Sequence, residues 1–196
     1  RHFVRADWTA ARQFTLSPRL LDLLDELGRA RQQVQLVGLG LEQSAAEDPG
    51  GVADTTRELL QRASRAARGA LPLELLDIDR DRERVRLLSE RYKLDREELR
   101  RGAVVVERGG RQRVLTRDDL AEFEAGAGSE PPRLLRYLGE SALASAVLTV
   151  MVEKPPTLCF TTGHGEAALD DLSGEGLSDL SQALQRDGQQ TRALPE

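Results

Sequence analysis

The sequence predicts an α/β fold in which strands and helices alternate. Three observations carry that reading. Short apolar runs (Val34–Leu39, Leu73–Ile78, Thr157–Thr161) stand beside segments with helical apolar spacing, the order of parallel strands joined by crossover helices. Arg108-Gly109-Gly110-Arg111 joins two further apolar runs and predicts one antiparallel hairpin. The 196 residues are 39% hydrophobic and 31% charged, which is enough apolar material for a core and too much for a disordered tail.

Each element has a local signal. Phe3 to Trp8 is too short and mixed to classify. Ser17 is a good N-cap with Pro18 at the first helical position, and Leu16 with Leu21 has hydrophobic-staple spacing. Leu20, Leu21, Leu23, Leu24 and Leu27 form an apolar stripe, and Gly28 is the expected stop. After the strand Val34–Leu39, the stretch Gly40–Gly51 is loop-like. Asp54 opens a helix with Leu59, Leu60, Ala63 and Ala67 on one side, and Leu73–Ile78 is a strand followed by a helix over Asp81–Tyr92. Ala103–Glu107 and Gln112–Leu115 form the hairpin. Thr116-Arg117-Asp118-Asp119 reads as an N-cap and acidic first turn of a helix reaching Phe123. Ala125–Pro132 is a linker dense in Gly, Ser and Pro. A small-residue-rich helix is expected over Leu134–Val152, ended by Pro155-Pro156. Thr157–Thr161 then reads as a buried strand, Gly163–Glu166 as a turn, Leu177–Gln185 as a helix and Thr191–Leu194 as the approach to a strand.

The resulting order is βαβαββα followed by αβα. The first part has the element order of a thioredoxin-like domain, over residues 18–125, after an opening segment 1–17. Thioredoxin chemistry needs two cysteines after the first strand, and Gly40-Leu41-Glu42-Gln43-Ser44 has none, so a CxxC redox mechanism is excluded. A linker at 126–133 leads to residues 134–196, a connecting helix and the first part of a second, Rossmann-like α/β domain. The chain starts at Arg1 and stops on the approach to a strand, and it reads as a piece of a longer protein.

Charge and composition narrow the function classes. The 28 Lys+Arg against 33 Asp+Glu leave a net charge of −5, which argues against affinity for nucleic acid through phosphate neutralisation. Only Lys93 and Lys154 are lysines, and the arginines are spread along the whole chain. Cys159 is the single cysteine, so an intrachain disulfide or CxxC pair cannot form. With only His2 and His164 as histidines, a zinc site is short of its usual ligands. The longest apolar stretch, Ala142–Val152, is well below the roughly 18 residues that span a bilayer. No G-x-x-x-x-G-K-[ST] loop is present, so ATP hydrolysis of that kind belongs to another protein.

Five features of the sequence invite a functional reading. Asp77, Asp79 and Asp81 lack the Gly and Glu of a calcium loop, since Arg82 and Leu88 stand there, and they read as acids capping the next helix. Gly163-His164-Gly165-Glu166-Ala167-Ala168 has dinucleotide-type glycine spacing after a strand, but Ser173–Gly176 interrupts the helix that should follow. Thr162, Gly163, His164, Gly165 and Glu166 lie where open α/β sheets bind ligands, and they are the candidate ligand-binding residues. No nucleophile accompanies them: Cys159 reads as a small apolar residue inside its strand, and nothing places a base on Thr161 or Thr162. The alternating charges of Arg80–Arg101 read as a solvated helix face, and Ala142–Val152 as a core helix.

Three blocks of the sequence form one pattern. The first is Asp7-Trp8-Thr9 through Phe14-Thr15-Leu16-Ser17. The second is Val104-Val105-Val106-Glu107 with Gly109-Gly110-Arg111 and Val114. The third and most distinctive is Gly139-Glu140-Ser141-Ala142-Leu143-Ala144-Ser145-Ala146 with Pro155 and Thr162-Gly163-His164-Gly165-Glu166. Together they resemble a known family, the extracytoplasmic domain of the auxiliary, substrate-binding-like component of gliding-motility-type ABC transporters, the first block being similar to its juxtamembrane segment. Departures stand at Ala144, where the family often has Thr, and at Cys159, where an aromatic is commoner.

The resemblance implies a non-catalytic protein at the cell inner membrane, its soluble part facing the periplasm, anchored by helices outside these residues. Its implied partners are an ABC permease and ATPase, with a small-molecule or polysaccharide ligand and a homo-oligomer left open. It implies no catalytic residue, metal or cofactor, and no nucleic acid. The downstream domain resembles one in an intraflagellar transport subunit, which also points to binding. Two alternatives remain from the residues: a ligand-binding or hydrolytic α/β domain using Gly163–Glu166, and an assembly module that self-associates through Ala142–Val152.

Overall fold

The structure, a computed structural model, describes residues 16–42, 48, 50–124, 132–153, 157–162, 167, 169, 171, 176–178, 180–181, 184 and 189–195. Helix α1 (Pro18–Arg29) begins as its sequence dictates: the Ser17 hydroxyl accepts from the Leu20 N–H, and Pro18 sits at the first helical position. It buries Leu20, Leu24 and Leu27, whereas Leu21 is 40% exposed and adds little to a staple with Leu16. Gly28 does not stop the helix; Arg31, at positive φ, turns the chain two residues after its end.

Strand β1 (Gln35–Leu39), helix α2 (Val52–Ala66) and strand β2 (Leu73–Leu76) form a parallel βαβ unit. Helices α3 (Arg82–Tyr92) and α4 (Arg96–Arg101) lead into β3 (Ala103–Arg108), which pairs antiparallel with β1 and, through the Gly109–Gly110 turn, with β4 (Arg111–Leu115). Both turn glycines adopt positive φ, which their lack of Cβ permits. The sheet order is β2-β1-β3-β4. The fold is α/β, with mixed strand directions.

Burial follows from the two-residue period of strands. Val104 and Val106 of β3 join the larger core with residues of α1 and α2, while Val105 turns to the opposite face with Val37, Leu39 and Val114. There it meets Val85, Leu88 and Tyr92 of α3. A strand covered on both faces needs an unbroken apolar run, and Val104-Val105-Val106 supplies it.

Between β4 and α6 the structure departs from the sequence-based expectation twice. The helix expected from Thr116 to Phe123 is one turn only, α5 (Arg117–Leu120), and the chain continues as strand β5 (Ala121–Glu124). The helix expected over Leu134–Val152 is a strand, β6 (Arg133–Tyr137), and then helix α6 (Gly139–Met151). The β5 and β6 strands pair antiparallel, with a register shift between Glu122 and Phe123, and Arg136 bonds both carboxylate oxygens of Glu122 across the pair. Each strand exists because of the other, so neither is visible in a local window. Helix α6 packs Leu143, Ala144, Ala146, Val147 and Val150 into the larger core, against β3 and β4.

Strand β7 (Thr157–Thr162) pairs in parallel with β8 (Gln190–Pro195), and residues of helical conformation at 178, 180, 181 and 184 lie between them in sequence. The expectation of a buried strand at 157–161 fails. Leu158 is 37% exposed and Cys159 is exposed, because among the described residues β7 has β8 as its one sheet partner.

Candidate functional site

The turn singled out from sequence is only touched by the described residues. Thr162 is the last residue of β7, in register with Pro195; Gly163, His164, Gly165 and Glu166 lie outside them. Cys159 is solvent-exposed on its strand and is not the packed apolar residue its neighbours led one to expect. The Asp77–Asp81 run forms a self-contained turn. The Asp77 carboxylate accepts from the backbone N–H groups of Arg80 and Asp79, which hold it below the usual carboxylate range, and Asp81 reaches back to the Asp77 N–H instead of capping α3. Among the described residues no cluster of three or more His, Cys, Asp or Glu is placed to hold a metal ion, and no helix is long and apolar enough to cross a membrane.

Among the described residues, a cleft of about 890 Å³ is bounded by α1, α2, β6 and α6. Leu20, Leu59, Leu134 and Leu138 give it an apolar floor. Ser141, Ala144, Ser145 and Leu148 of α6 form one wall, and small side chains there leave the space open. Two arginines, Arg19 and Arg62, and two glutamates, Glu58 and Glu140, are spaced around it. Its size is that of a ligand or side-chain cluster site.

Helix α6 is held at both ends by residues distant in sequence. At its start, Glu140 Oε2 accepts the Ser17 N–H at 2.9 Å, joining the first turn of α6 to the N-cap of α1 across 123 residues. A carboxylate at the start of α1 also meets the positive end of its dipole. Immediately before α6, Tyr137 lies under Gly139, where a Cβ would collide with the phenol. The Tyr137 hydroxyl is 3.0 Å from Thr56 Oγ1 of α2, and burial pushes its pKa up to about 12. At the far end, Arg111 Nε donates to Val150 O at 2.8 Å and Nη1 to Glu153 O at 3.4 Å. A cation there satisfies carbonyls that no helical N–H reaches and suits the negative end of the dipole.

Two further polar clusters are built into the fold. Asp48, 5% exposed, caps the start of α2 by accepting the Ala53 N–H at 2.7 Å. Its Oδ1 lies 3.1 Å from Arg117 Nη1 without hydrogen-bond alignment, so that contact is electrostatic, and the guanidinium stacks over the Phe123 ring at 4.6 Å. On the opposite face of the sheet, Glu107 receives bonds from both the Tyr92 hydroxyl and Arg91. Burial and the neighbouring carboxylate raise the Tyr92 pKa.

Sequence reasoning did not find Glu140, Tyr137, Asp48 or Arg117 as organising residues. Glu140 and Tyr137 act on partners 123 and 81 residues away, and no local pattern encodes such pairs. Asp48 carried a usable signal, an acid shortly before a helix, that the loop-like composition around it obscured. No protein-family model matches the chain, and no curated protein matches it significantly.

Proposed function

We propose that the chain is a non-catalytic binding component, the extracytoplasmic auxiliary part of an ABC transport system of the gliding-motility type. In this reading it binds a partner protein or ligand, while permease and ATPase subunits carry out transport and hydrolysis. One observation carries it: one described residue from each of the three sequence blocks, Ser17, Arg111 and Glu140, takes part in a bond to α6. The first block ends at Ser17, the third contains Glu140, and these two residues bond to each other. The second block contains Arg111, which bonds the far end of the same helix. These motif residues make internal bonds that fix a scaffold, which supports reading the chain as a binding module.

The strand order β2-β1-β3-β4, with a parallel β1–β2 pair and an antiparallel hairpin, supports a thioredoxin-like arrangement without its cysteines. The parallel β7–β8 pair supports a second, Rossmann-like unit within residues 134–196. The soluble part faces the periplasm, and the anchor lies outside these residues. Gentle detergent extraction of the full-length protein from native membranes, with mass spectrometry of its companions, tests the proposal. A permease and an ATPase in near-equal amounts are expected. A protein that emerges alone refutes it.

A further inference from the structure

We propose that the turns ending α1 and α2 form a binding site for a hydroxylated anion, a sugar acid or a sugar phosphate, with Arg31 and Arg68 holding the anionic group. A cavity of about 390 Å³ lies between the two turns, at the small end of ligand sites. Arg31, Gln32 and Gln33 line it from one turn, and Arg68, Gly69 and Ala70 from the other. All of them, and their neighbours in the chain, are among the described residues. This site shares no lining residue with the α1–α2–α6 cleft and does not depend on the transporter reading.

Charge selects the sign of the ligand. The chain has 33 acids against 28 bases, yet this lining holds two arginines and no acid. Among the described residues neither guanidinium pairs with a carboxylate. Helix capping does not account for them either. Backbone N–H groups of Ala30, Arg31 and Gln32 already bond carbonyls at the end of α1, and those of Ala67, Arg68 and Ala70 do so for α2. Both arginines hold positive φ, 51° and 49°, at a helix-end position where glycine is the unstrained choice. Lys93 does the same at the end of α3; what sets Arg31 and Arg68 apart is that they share one cavity. Two guanidiniums beside one cavity can offer paired N–H donors to a carboxylate or a phosphate.

The carboxamides select for hydroxyl groups, because each can both donate and accept. Gln33 Nε2 donates to Gly69 O at 3.4 Å and bridges the two turns. Gln32 Oε1 is buried and has no hydrogen-bond partner among the described residues. A ligand hydroxyl would supply the missing donor once the Gln32 side chain turns towards the cavity.

Isothermal titration calorimetry at about 20 mM ionic strength tests the site with glucuronate, glucose 6-phosphate, acetate and inorganic phosphate. A Kd of about 0.1–1 mM is expected for at least one of the two sugar anions, and which one binds tells a sugar acid from a sugar phosphate. Arg31→Gly and Arg68→Gly suit the positive φ, so the urea midpoint should hold while binding weakens at least about tenfold. Arg82→Ala, at an exposed arginine on α3, should leave binding unaltered. Gln32→Leu should weaken the sugar anion and leave inorganic phosphate as it was. Three results each overturn the proposal: no saturable binding up to about 10 mM, binding indifferent to both glycine variants, or acetate and phosphate bound as tightly as the sugar anions. The companions found in the membrane decide the transporter reading alone, so either conclusion can fall without the other.

Discussion

Glu140→Ala removes a carboxylate that bonds the start of α6 to the start of α1. The Ser17 N–H would lose its carboxylate acceptor at 2.9 Å in a partly buried setting. Hydrogen bonds to charged groups contribute about 1.5–3 kcal/mol, and partial access to water argues for the lower end. Loss of a negative charge at the N-terminus of α1 adds about 0.3–1 kcal/mol. Together these give a destabilisation of about 2 kcal/mol. Glu140→Gln keeps an acceptor oxygen and loses the charge, so about 1 kcal/mol is expected. Urea unfolding followed by circular dichroism would show a lowered midpoint at constant slope. Native-state hydrogen exchange adds a local readout: the Ser17 amide should lose protection in Glu140→Ala and keep part of it in Glu140→Gln. Equal stabilities for the wild type and both variants, or an unchanged Ser17 amide, would refute the clamp.

Other consequences can be checked on the same protein. Arg111→Ala should cost about 1–2 kcal/mol and speed amide exchange in the last turn of α6, as its bonds to Val150 O and Glu153 O disappear; undisturbed exchange there would contradict the capping role. Arg117→Ala leaves the buried Asp48 carboxylate without its cation and should cost about 3–5 kcal/mol, measured as a fall in the urea midpoint, with Asp48→Asn in the same background recovering part of the loss. Tyr137 has a folded-state pKa of about 12 against 10.0 when free, so its contribution is intact below pH 10 and declines as the pH rises towards 12. The shift corresponds to about 2–3 kcal/mol. Comparing urea midpoints at pH 9 and near pH 12, Tyr137→Phe should lose less stability than wild type; parallel losses would exclude the tyrosine as a cause.

Local chemistry alone determined the elements whose signals lie within one turn or one hairpin. Ser17 and Pro18 start α1, three of the five leucines of its expected stripe (Leu20, Leu24 and Leu27, not Leu21 or Leu23) are buried, and Gly109–Gly110 closes the β3–β4 hairpin. The Val104–Val106 run marks a strand, and the fold shows that both of its faces are covered. These readings succeed because cap geometry, the 3.6-residue period and left-handed glycines act among neighbours. Tertiary structure decided the rest. Ala121–Glu124 and Arg133–Tyr137 are strands only because each supplies the other's hydrogen bonds, which overrides the helical propensity of Leu, Arg and Glu. Likewise, whether Leu148 or Ala146 faces solvent depends on which side of α6 the sheet covers. Glu140, Tyr137 and Arg117 acquire their roles from partners that only the folded chain brings within bonding distance.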